Sequence, residues 1–312
     1  MALKLGLGFF VTGFTVDPIT LAKAVEAAGF ESLWVPDHPV FPVTPRTPYS
    51  LRDDGCYPRV FGEMADPFVV LSYAAAATTT LRLGTAVALV TQRHPLTLAK
   101  TVATLDNFSG GRLLFGVGTG NLPEDLEMYG VRFDKRRAYA SEAVEAMKRL
   151  WRDGRAAYSG RYVSFPEVRC DPLPGQRPNP PVLVGAPLNK WTVERAARWG
   201  DGWLPPSGTS PQDIERGRKQ IEARCREYGR DPAGLDITAF FVMDVTPATQ
   251  RAYEEAGATR IVAQLYNHPG APVPMERWRD GRIASLGGPD AAPPSPRETL
   301  AALERLTELA GL

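Results

Sequence analysis

The chain has 312 residues, of which 44% are hydrophobic and 23% charged, as in globular proteins that bury a core without disulfides or metals. With 36 basic and 35 acidic residues the net charge is +1, which gives no reason to expect nucleic acid or an acidic membrane as partner. Because the sequence contains no signal peptide pattern, no apolar run near the ~20 residues that span a bilayer and no cysteine motif, we expect a cytoplasmic protein with reduced thiols.

Short apolar runs alternate with amphipathic helical patterns along the whole chain. Strands are predicted at 3–9, 32–36, 82–90, 112–117, 181–185, 202–204, 236–243 and 260–265. Helices are predicted at 18–28, 66–78, 96–108, 136–151, 190–199, 211–228, 248–256 and 295–309. The first helix illustrates the local signals, since Asp17 is a good N-cap before Pro18 and Gly29 a good stop.

Eight strand-then-helix units predict an α/β fold, a closed (β/α)₈ TIM barrel formed as one domain over residues 1–312. An open, doubly wound sheet is the alternative, because a local pattern does not show closure. Two proline-rich segments, 37–65 after the second strand and 266–294 after the eighth, exceed ordinary loop length. Both follow barrel strands, so we expect them to form lids or substrate walls at the catalytic face.

Asp37 and His38 end the second strand, where barrel enzymes place catalytic groups. Histidine exchanges protons near neutral pH, and the neighbouring aspartate supplies an acceptor. The sequence therefore favours a catalytic role for both, with a hydrogen-bonded loop histidine as the structural alternative. His94 also follows a strand, and we interpret it as part of a structural turn.

Two glycine-containing turns follow later strands. Gly116-Val117-Gly118-Thr119-Gly120 would let backbone approach a flat ligand, although its spacing is not the dinucleotide fingerprint and a tight turn is an equal alternative. The turn 185–190 opens a helix, so its N–H groups and Lys190 would suit a phosphate; an ordinary loop is the alternative.

Other chemistries find no support in the sequence. There is no G-x-S-x-G elbow and no H-E-x-x-H, and the three histidines are not at metal-ligand spacing, so no metal is expected. The basic run Lys135-Arg136-Arg137 opens a predicted helix and is interpreted as a solvated face.

Taken together, several segments make the chain resemble the bacterial luciferase-like flavin and deazaflavin oxidoreductases. The segments are 27–38, ending in Trp34-Val35-Pro36-Asp37-His38; 83–87; 93–106; 109–112; 115–120; 180–185; and 196–205. They span most of the chain. The run Asp37-His38-Pro39-Val40-Phe41-Pro42 is similar to the coenzyme F420-dependent branch of that family.

The resemblance implies a deazaflavin ring across the C-terminal mouth of the barrel, with Asp37 and His38 near the ring or substrate. A bulge with a non-proline cis peptide is expected near Ala86-Val87, behind the ring. The implied cofactor contacts are Asp37, Ala86, Val87, Gly118, Thr119, Gly120, Asn121, Gly185 and Ala186, with the phosphate arm at the Gly185 turn. A homodimer is also implied.

One position departs from the sugar-phosphate dehydrogenase members of the superfamily. Where they have a glutamate after the Gly-Thr-Gly turn, this chain has Asn121, which cannot act as general acid or base. Glu124 and Asp125 lie close in sequence and are candidates to replace it. Sugar-phosphate oxidation is therefore not expected.

The prediction is an F420-dependent oxidoreductase that exchanges a hydride with a small organic substrate, such as an activated C=C, C=N or C=O, with His38 moving the proton. Two alternatives stay open. One is a monooxygenase that uses reduced FMN, and the other is a barrel that binds a ligand without catalysis.

Overall fold

The computed structural model describes residues 2–49, 55–265 and 295–312. The strands are β1 (Lys4–Gly8), β2 (Ser32–Val35), β3 (Arg82–Thr85), β4 (Ala88–Leu89), β5 (Leu113–Gly118), β6 (Arg155–Ser159), β7 (Ser164–Arg169), β8 (Val182–Gly185), β9 (Gly202–Leu204), β10 (Asp236–Val242) and β11 (Arg260–Gln264). The helices are α1 (Pro18–Ala27), α2 (Pro67–Ala77), α3 (Pro95–Phe108), α4 (Pro123–Glu127), α5 (Arg136–Asp153), α6 (Lys190–Arg198), α7 (Pro211–Glu227), α8 (Pro247–Glu255) and α9 (Pro296–Ala310). All predicted elements are present, whereas α4 and the antiparallel pair β6–β7 are additional.

The parallel strands form a closed barrel in the order β3-β2-β1-β11-β10-β9-β8-β5. Closure comes from β3 and β5, where Leu83 pairs with Leu113 and Gly84 with Leu114. β4 continues the third barrel strand after a break and pairs with β5. The closed (β/α)₈ prediction is thus confirmed, and the open doubly wound sheet is excluded.

Side-chain caps set the helix starts. The Asp17 Oδ1 atom accepts from the backbone N–H groups of Ile19 and Thr20 at 3.1 and 2.9 Å, directly before the proline that opens α1. His94 caps α3 in the same way, since its Nδ1 accepts from the Leu96 N–H at 3.3 Å. The interpretation of His94 as a structural residue is therefore confirmed.

Trp34 fills the inside of the barrel. Its indole is fully buried and packs with Ala86, Leu114, Leu183, Leu204 and Val262. A Cβ on Gly84 would lie 2.2 Å from the indole ring, and one on Gly6 would lie 2.8 Å from its nitrogen. Only glycine at these two positions, one on β1 and one on β3, leaves room for the indole ring, which fills the space that their side chains would otherwise occupy.

A buried ion-pair network closes the end of the barrel that is formed by the N-terminal ends of the strands. Arg260, at the start of β11, has no exposed surface and donates to Glu31 at 2.8 and 2.9 Å and to Asp236 at 2.8 Å. Both carboxylates are accounted for by one guanidinium, as a buried charge requires. The other end is formed by the C-terminal ends of the eight strands, where barrel enzymes place their active sites, and we call it the barrel mouth.

Of the two long segments, 37–65 is described except for 50–54, and 266–294 lies outside the described residues. The first segment is anchored on both sides of the mouth. The Ala65 N–H donates to the Val11 carbonyl at 2.9 Å, and the backbone N–H groups of Arg46 and Thr47 donate to Glu124 of α4 at 2.8 and 2.9 Å. No helix in the described ranges has the length and apolar composition needed to cross a bilayer.

Candidate active site at the barrel mouth

The side chain of Val87 lies between two glycines at the mouth. A Cβ on Gly118 would come within 2.3 Å of its Cγ2, and a Cβ on Gly185 within 2.3 Å of its Cγ1. The Ala86-Val87 peptide bond is cis, as the resemblance predicts. The floor of the mouth is thus one partly exposed valine whose methyl groups cover the backbone of two glycines.

Asp37 ends up against an arginine. Its buried carboxylate accepts from Arg93 on both oxygens, with Nη2 to Oδ1 at 3.0 Å, and from the Leu89 N–H at 2.9 Å. Arg93 also donates to Asp66 at 2.8 Å. Burial raises the pKa of the Asp37 carboxyl, and Arg93 and the Leu89 N–H oppose that shift. Burial would lower the pKa of Arg93, but Asp37 and Asp66 raise it.

These contacts place the Asp37 carboxylate against Arg93, whereas the sequence favours a catalytic role for it beside His38. Its oxygens are taken up by Arg93 and by the backbone of β4, so it ties the end of β2 to the floor of the mouth. The residue next to it, His38, is therefore held at the rim by a fixed backbone.

The acidic neighbour of His38 is Asp125 of α4. His38 Nδ1 lies 3.8 Å from Asp125 Oδ2, and the two side chains are 11% and 2% exposed. Burial lowers the pKa of His38 to about 4. Burial, followed by the charge of Glu124, raises the pKa of Asp125 to about 6, while the amide of Gln92 opposes the rise. Two buried titratable groups with shifts of opposite sign are a common feature of catalytic sites.

The two carboxylates that the sequence offers in place of a glutamate have separate positions. Glu124 binds the backbone of Arg46 and Thr47 and the Thr47 hydroxyl, so it anchors the 37–65 segment. Asp125 faces His38 instead. Asn121 is exposed, and Thr119 and Gly120 are partly exposed beside it.

Aromatic rings from the 37–65 segment surround the histidine. The His38 ring centre lies 5.0 Å from that of Phe61 and 5.5 Å from that of Phe41, which it meets edge-on. Tyr57 continues the cluster at 4.9 Å from Phe41 and 5.7 Å from Phe61. This wall of aromatic rings explains the low polarity around His38.

The turn 185–190 is less open than the sequence suggests. The Asn189 side chain accepts from the N–H groups of Trp191 and Thr192 at 3.0 and 3.1 Å, so it caps α6. The Lys190 ammonium lies over the Trp191 ring, 4.9 Å from its centre. Two of the N–H groups expected to be free are therefore occupied, because asparagine competes well for them.

Three arginines lie close together instead. Arg195 of α6 is buried, and burial, followed by the charges of Arg137 and Arg136, lowers its pKa to about 10. Arg136 Nε is buried without a hydrogen-bond partner, and none of the three is paired with a carboxylate within the described part of the chain. Arg136 is partly buried at the start of α5 with its Nε atom buried, whereas Arg137 is exposed, so the interpretation of Lys135-Arg136-Arg137 as a solvated face holds for Arg137 and is incomplete for Arg136.

Sequence reasoning missed Arg93, Gln92 and the arginine cluster as site residues. Arg93 follows the 3₁₀ turn Val90–Gln92 after the third barrel strand, and this position at the mouth was the available signal. Gln92 and Arg195 carry no such signal, since nothing local shows that they are buried. In the described ranges, no group of three or more His, Cys, Asp or Glu is arranged to hold a metal.

A family model for luciferase-like monooxygenases matches residues 17–304. The chain belongs to this family. A protein of unknown function from Mycobacterium tuberculosis H37Rv is 34% identical over 262 residues, which cover 82% of this chain and 90% of that protein. The family comprises oxidoreductases, so the mouth described above is the part of the fold to examine for catalysis.

Two solved structures share the fold. The monooxygenase RslO1 from Streptomyces bottropensis superposes with a TM-score of 0.72 at 23% identity and covers 98% of both chains. An F420-dependent secondary alcohol dehydrogenase in complex with an F420-acetone adduct gives a TM-score of 0.68 at 18% identity, covering 87% of this chain and 95% of that one. At these identities the likeness concerns the barrel alone.

Proposed function

We propose that this protein is an F420-dependent oxidoreductase that transfers a hydride between the deazaflavin and a small organic substrate with an activated C=C, C=N or C=O. The observation that carries the proposal is the floor of the mouth, where Val87 lies between Gly118 and Gly185 with His38 at the rim of the adjacent strand. Such a floor offers a flat ring an apolar surface on one face, with a proton-exchanging group beside it.

The residues present fit such a cofactor. Ala86, Val87, Gly118, Gly185 and Ala186 would hold the ring, with Thr119, Gly120 and Asn121 along its edge and Asp37 fixing the strand behind His38. When bound, the deazaflavin supplies two-electron hydride exchange, and the protein supplies position and protons. The aromatic wall around His38 keeps water away from the imidazole that exchanges protons with the substrate.

The arginine cluster is the proposed seat of the phosphate arm. Arg136, Arg137 and Arg195 repel one another, and the buried Nε of Arg136 lacks an acceptor among the described residues. A bound anion would reduce the repulsion and give the Arg136 Nε an acceptor, since guanidinium groups bind phosphate oxygens well. This position replaces the Gly185 turn as the centre of the phosphate site and leaves the turn as its edge.

The direct test is a fluorescence titration of the purified protein with F420 and, separately, with FMN. We expect clear preference for F420 and a loss of at least ~10-fold in affinity in Gly185→Val, whose side chain would collide with Val87. Gly13→Val is the matched control, because nothing lies within 4 Å of a Cβ there. Tighter binding of FMN, or binding of neither, would contradict the proposal.

A second candidate is a monooxygenase that uses reduced FMN. It is favoured by the likeness to the monooxygenase RslO1 over 98% of both chains. Oxygen consumption on addition of chemically reduced FMN, above the rate without protein and dependent on an organic substrate, would support this candidate over the first.

We further propose a homodimer that buries the outer face of α2. The helix contains no charged residue, yet Val69 and Tyr73 are 57% and 54% exposed. Helices that are apolar all round are normally covered, and a second copy would cover this one. Analytical ultracentrifugation should give a dimer for the wild type and a monomer for Tyr73→Glu; a wild-type monomer at micromolar concentration would refute the proposal.

A further inference from the structure

Buried polar atoms without hydrogen-bond partners gather next to His38. Considering the described residues, His38 Nδ1, Asp125 Oδ1 and the Thr91 hydroxyl have no hydrogen-bond partner, and the Gln92 amide approaches the Asp125 carboxyl without reaching hydrogen-bond geometry. They come from the loop after β2, the 3₁₀ turn Val90–Gln92 and α4, and the Thr91 oxygen lies 3.7 Å from a Cβ placed on Gly120. Native proteins rarely leave such atoms unpaired, so each group requires an explanation.

The charges around Asp125 do not neutralise it. Glu124, next along α4, is also acidic, and Tyr57 and Tyr129 face Asp125 with neutral hydroxyls. Burial, followed by the charges of Glu124 and Asp125, raises the pKa of Tyr57. Burial, together with the charges of Asp37 and Asp125, raises the pKa of Tyr129, and Arg93 opposes that rise. No Lys or Arg of the described ranges forms an ion pair with Asp125.

Arg93, whose charge reaches Tyr129 as that of Asp125 does, already binds Asp37 and Asp66. A buried carboxylate in this position is stable only with a proton or with a cationic neighbour. His38 is the one described side chain that faces it and is able to supply either, since its Nδ1 points to the carboxylate at 3.8 Å.

We propose that Asp125 is the positioning residue for His38 and that their Nδ1 and Oδ2 atoms, 3.8 Å apart here, close to hydrogen-bond distance when they share one proton, while Nε2 exchanges protons with the substrate. The inference rests on the proposed function for its catalytic meaning, but the shared proton is a property of the protein alone. The partner of His38 is then Asp125 and not Asp37, its neighbour in sequence.

The proton balance can be written for a substrate hydroxyl. On oxidation, a bound deazaflavin would accept the hydride from the carbon, and the hydroxyl would lose its proton to His38 Nε2. The Nδ1 proton then passes to the Asp125 carboxylate, which becomes a neutral acid. The pair gains one proton in total, and no isolated imidazolium is left in the aromatic wall. Substrate reduction runs the same transfers in reverse.

The test is a pH titration of the histidine ring nitrogens by NMR in the cofactor-free protein, with His38→Gln identifying the resonance. In the wild type, the His38 signals should shift in two steps, one near pH 6 and one near pH 4, because they sense the protonation of both groups. In Asp125→Asn the step near pH 6 should disappear. Glu127→Gln is the matched control, since Glu127 lies on the same helix but is exposed and paired with Arg46.

An identical His38 titration in the wild type and in Asp125→Asn would overturn the proposal. If that variant does not fold, the wild type decides: a single His38 step over this range is equally fatal. These outcomes do not depend on F420, so they separate failure of this inference from failure of the proposed function.

Once a substrate is known, a second readout follows. Asp125→Asn should lower kcat by ~10-fold to 100-fold with KM changed by less than ~3-fold and should remove one limb of the pH–rate profile. Asp125→Glu should restore that limb. A loss confined to KM, or no rescue of the limb by glutamate, would show a merely structural carboxylate.

Discussion

Replacement of Arg93 by glutamine would leave the buried carboxylate of Asp37 without its cation. The Asp37 side chain has no exposed surface, and the Leu89 N–H at 2.9 Å would be its remaining hydrogen-bond donor among the contacts described. Removing one partner of a buried pair costs about 3–5 kcal/mol. The contact of Arg93 with Asp66 adds ~1 kcal/mol at most, because Asp66 is 44% exposed.

The loss should depend on pH with a definite sign. Burial already raises the pKa of Asp37, and removal of Arg93 raises it further. Above that raised pKa the folded variant holds a buried, unpaired charge, so the deficit is largest at neutral pH. As the pH falls through the raised pKa toward the ordinary carboxyl pKa of 3.8, the folded state takes up a proton before the unfolded state, and the variant recovers stability relative to the wild type.

Urea unfolding followed by tryptophan fluorescence at pH 7 and pH 5 measures both effects. Arg46→Gln serves as control, since Arg46 and Glu127 form an exposed pair and its removal should cost under ~1 kcal/mol. The double variant Asp37→Asn/Arg93→Gln should be more stable than Arg93→Gln alone. A loss in Arg93→Gln below ~1 kcal/mol, or one that does not change between the two pH values, would refute the assignment of Asp37 as a buried, charge-paired anchor.

Three further outcomes follow from the same contacts. Gly84→Ala should destabilise the barrel by about 1–3 kcal/mol or more in urea unfolding, because its Cβ would lie 2.2 Å from Trp34, whereas Gly13→Ala should have little effect. His38→Gln should remove a pH dependence of the free energy of unfolding, because burial lowers the pKa of His38 from 6.5 to about 4. Between pH 7 and pH 4 the free energy of unfolding should fall by about 3 kcal/mol more in the wild type than in the variant. Parallel stability curves would contradict this. Arg195→Gln should keep or slightly raise the melting temperature, because it relieves repulsion, while weakening F420 binding and its salt dependence in fluorescence titrations; unchanged binding would remove Arg195 from the phosphate site.

The sequence by itself determined the eight strand-then-helix units of this protein and their order, although not α4 or the β6–β7 pair. Signals such as Asp17 before Pro18, or the apolar run of β5, act within a few residues, so they can be recognised without a partner. The place of His38 at the catalytic end also followed, since every parallel strand of a barrel presents its C-terminal end to the same mouth.

Only the tertiary structure decided which side chains meet at that mouth. Arg93 reaches Asp37 across 56 residues, and the Thr47 N–H reaches Glu124 across 77, so neither contact has a local signal. Adjacent residues of α4 also point about 100° apart around the helix axis, so Glu124 meets Arg46 and Thr47 while Asp125 faces His38. The physical reason is that burial and charge pairing depend on packing in three dimensions, whereas strand and helix signals depend on neighbours along the chain.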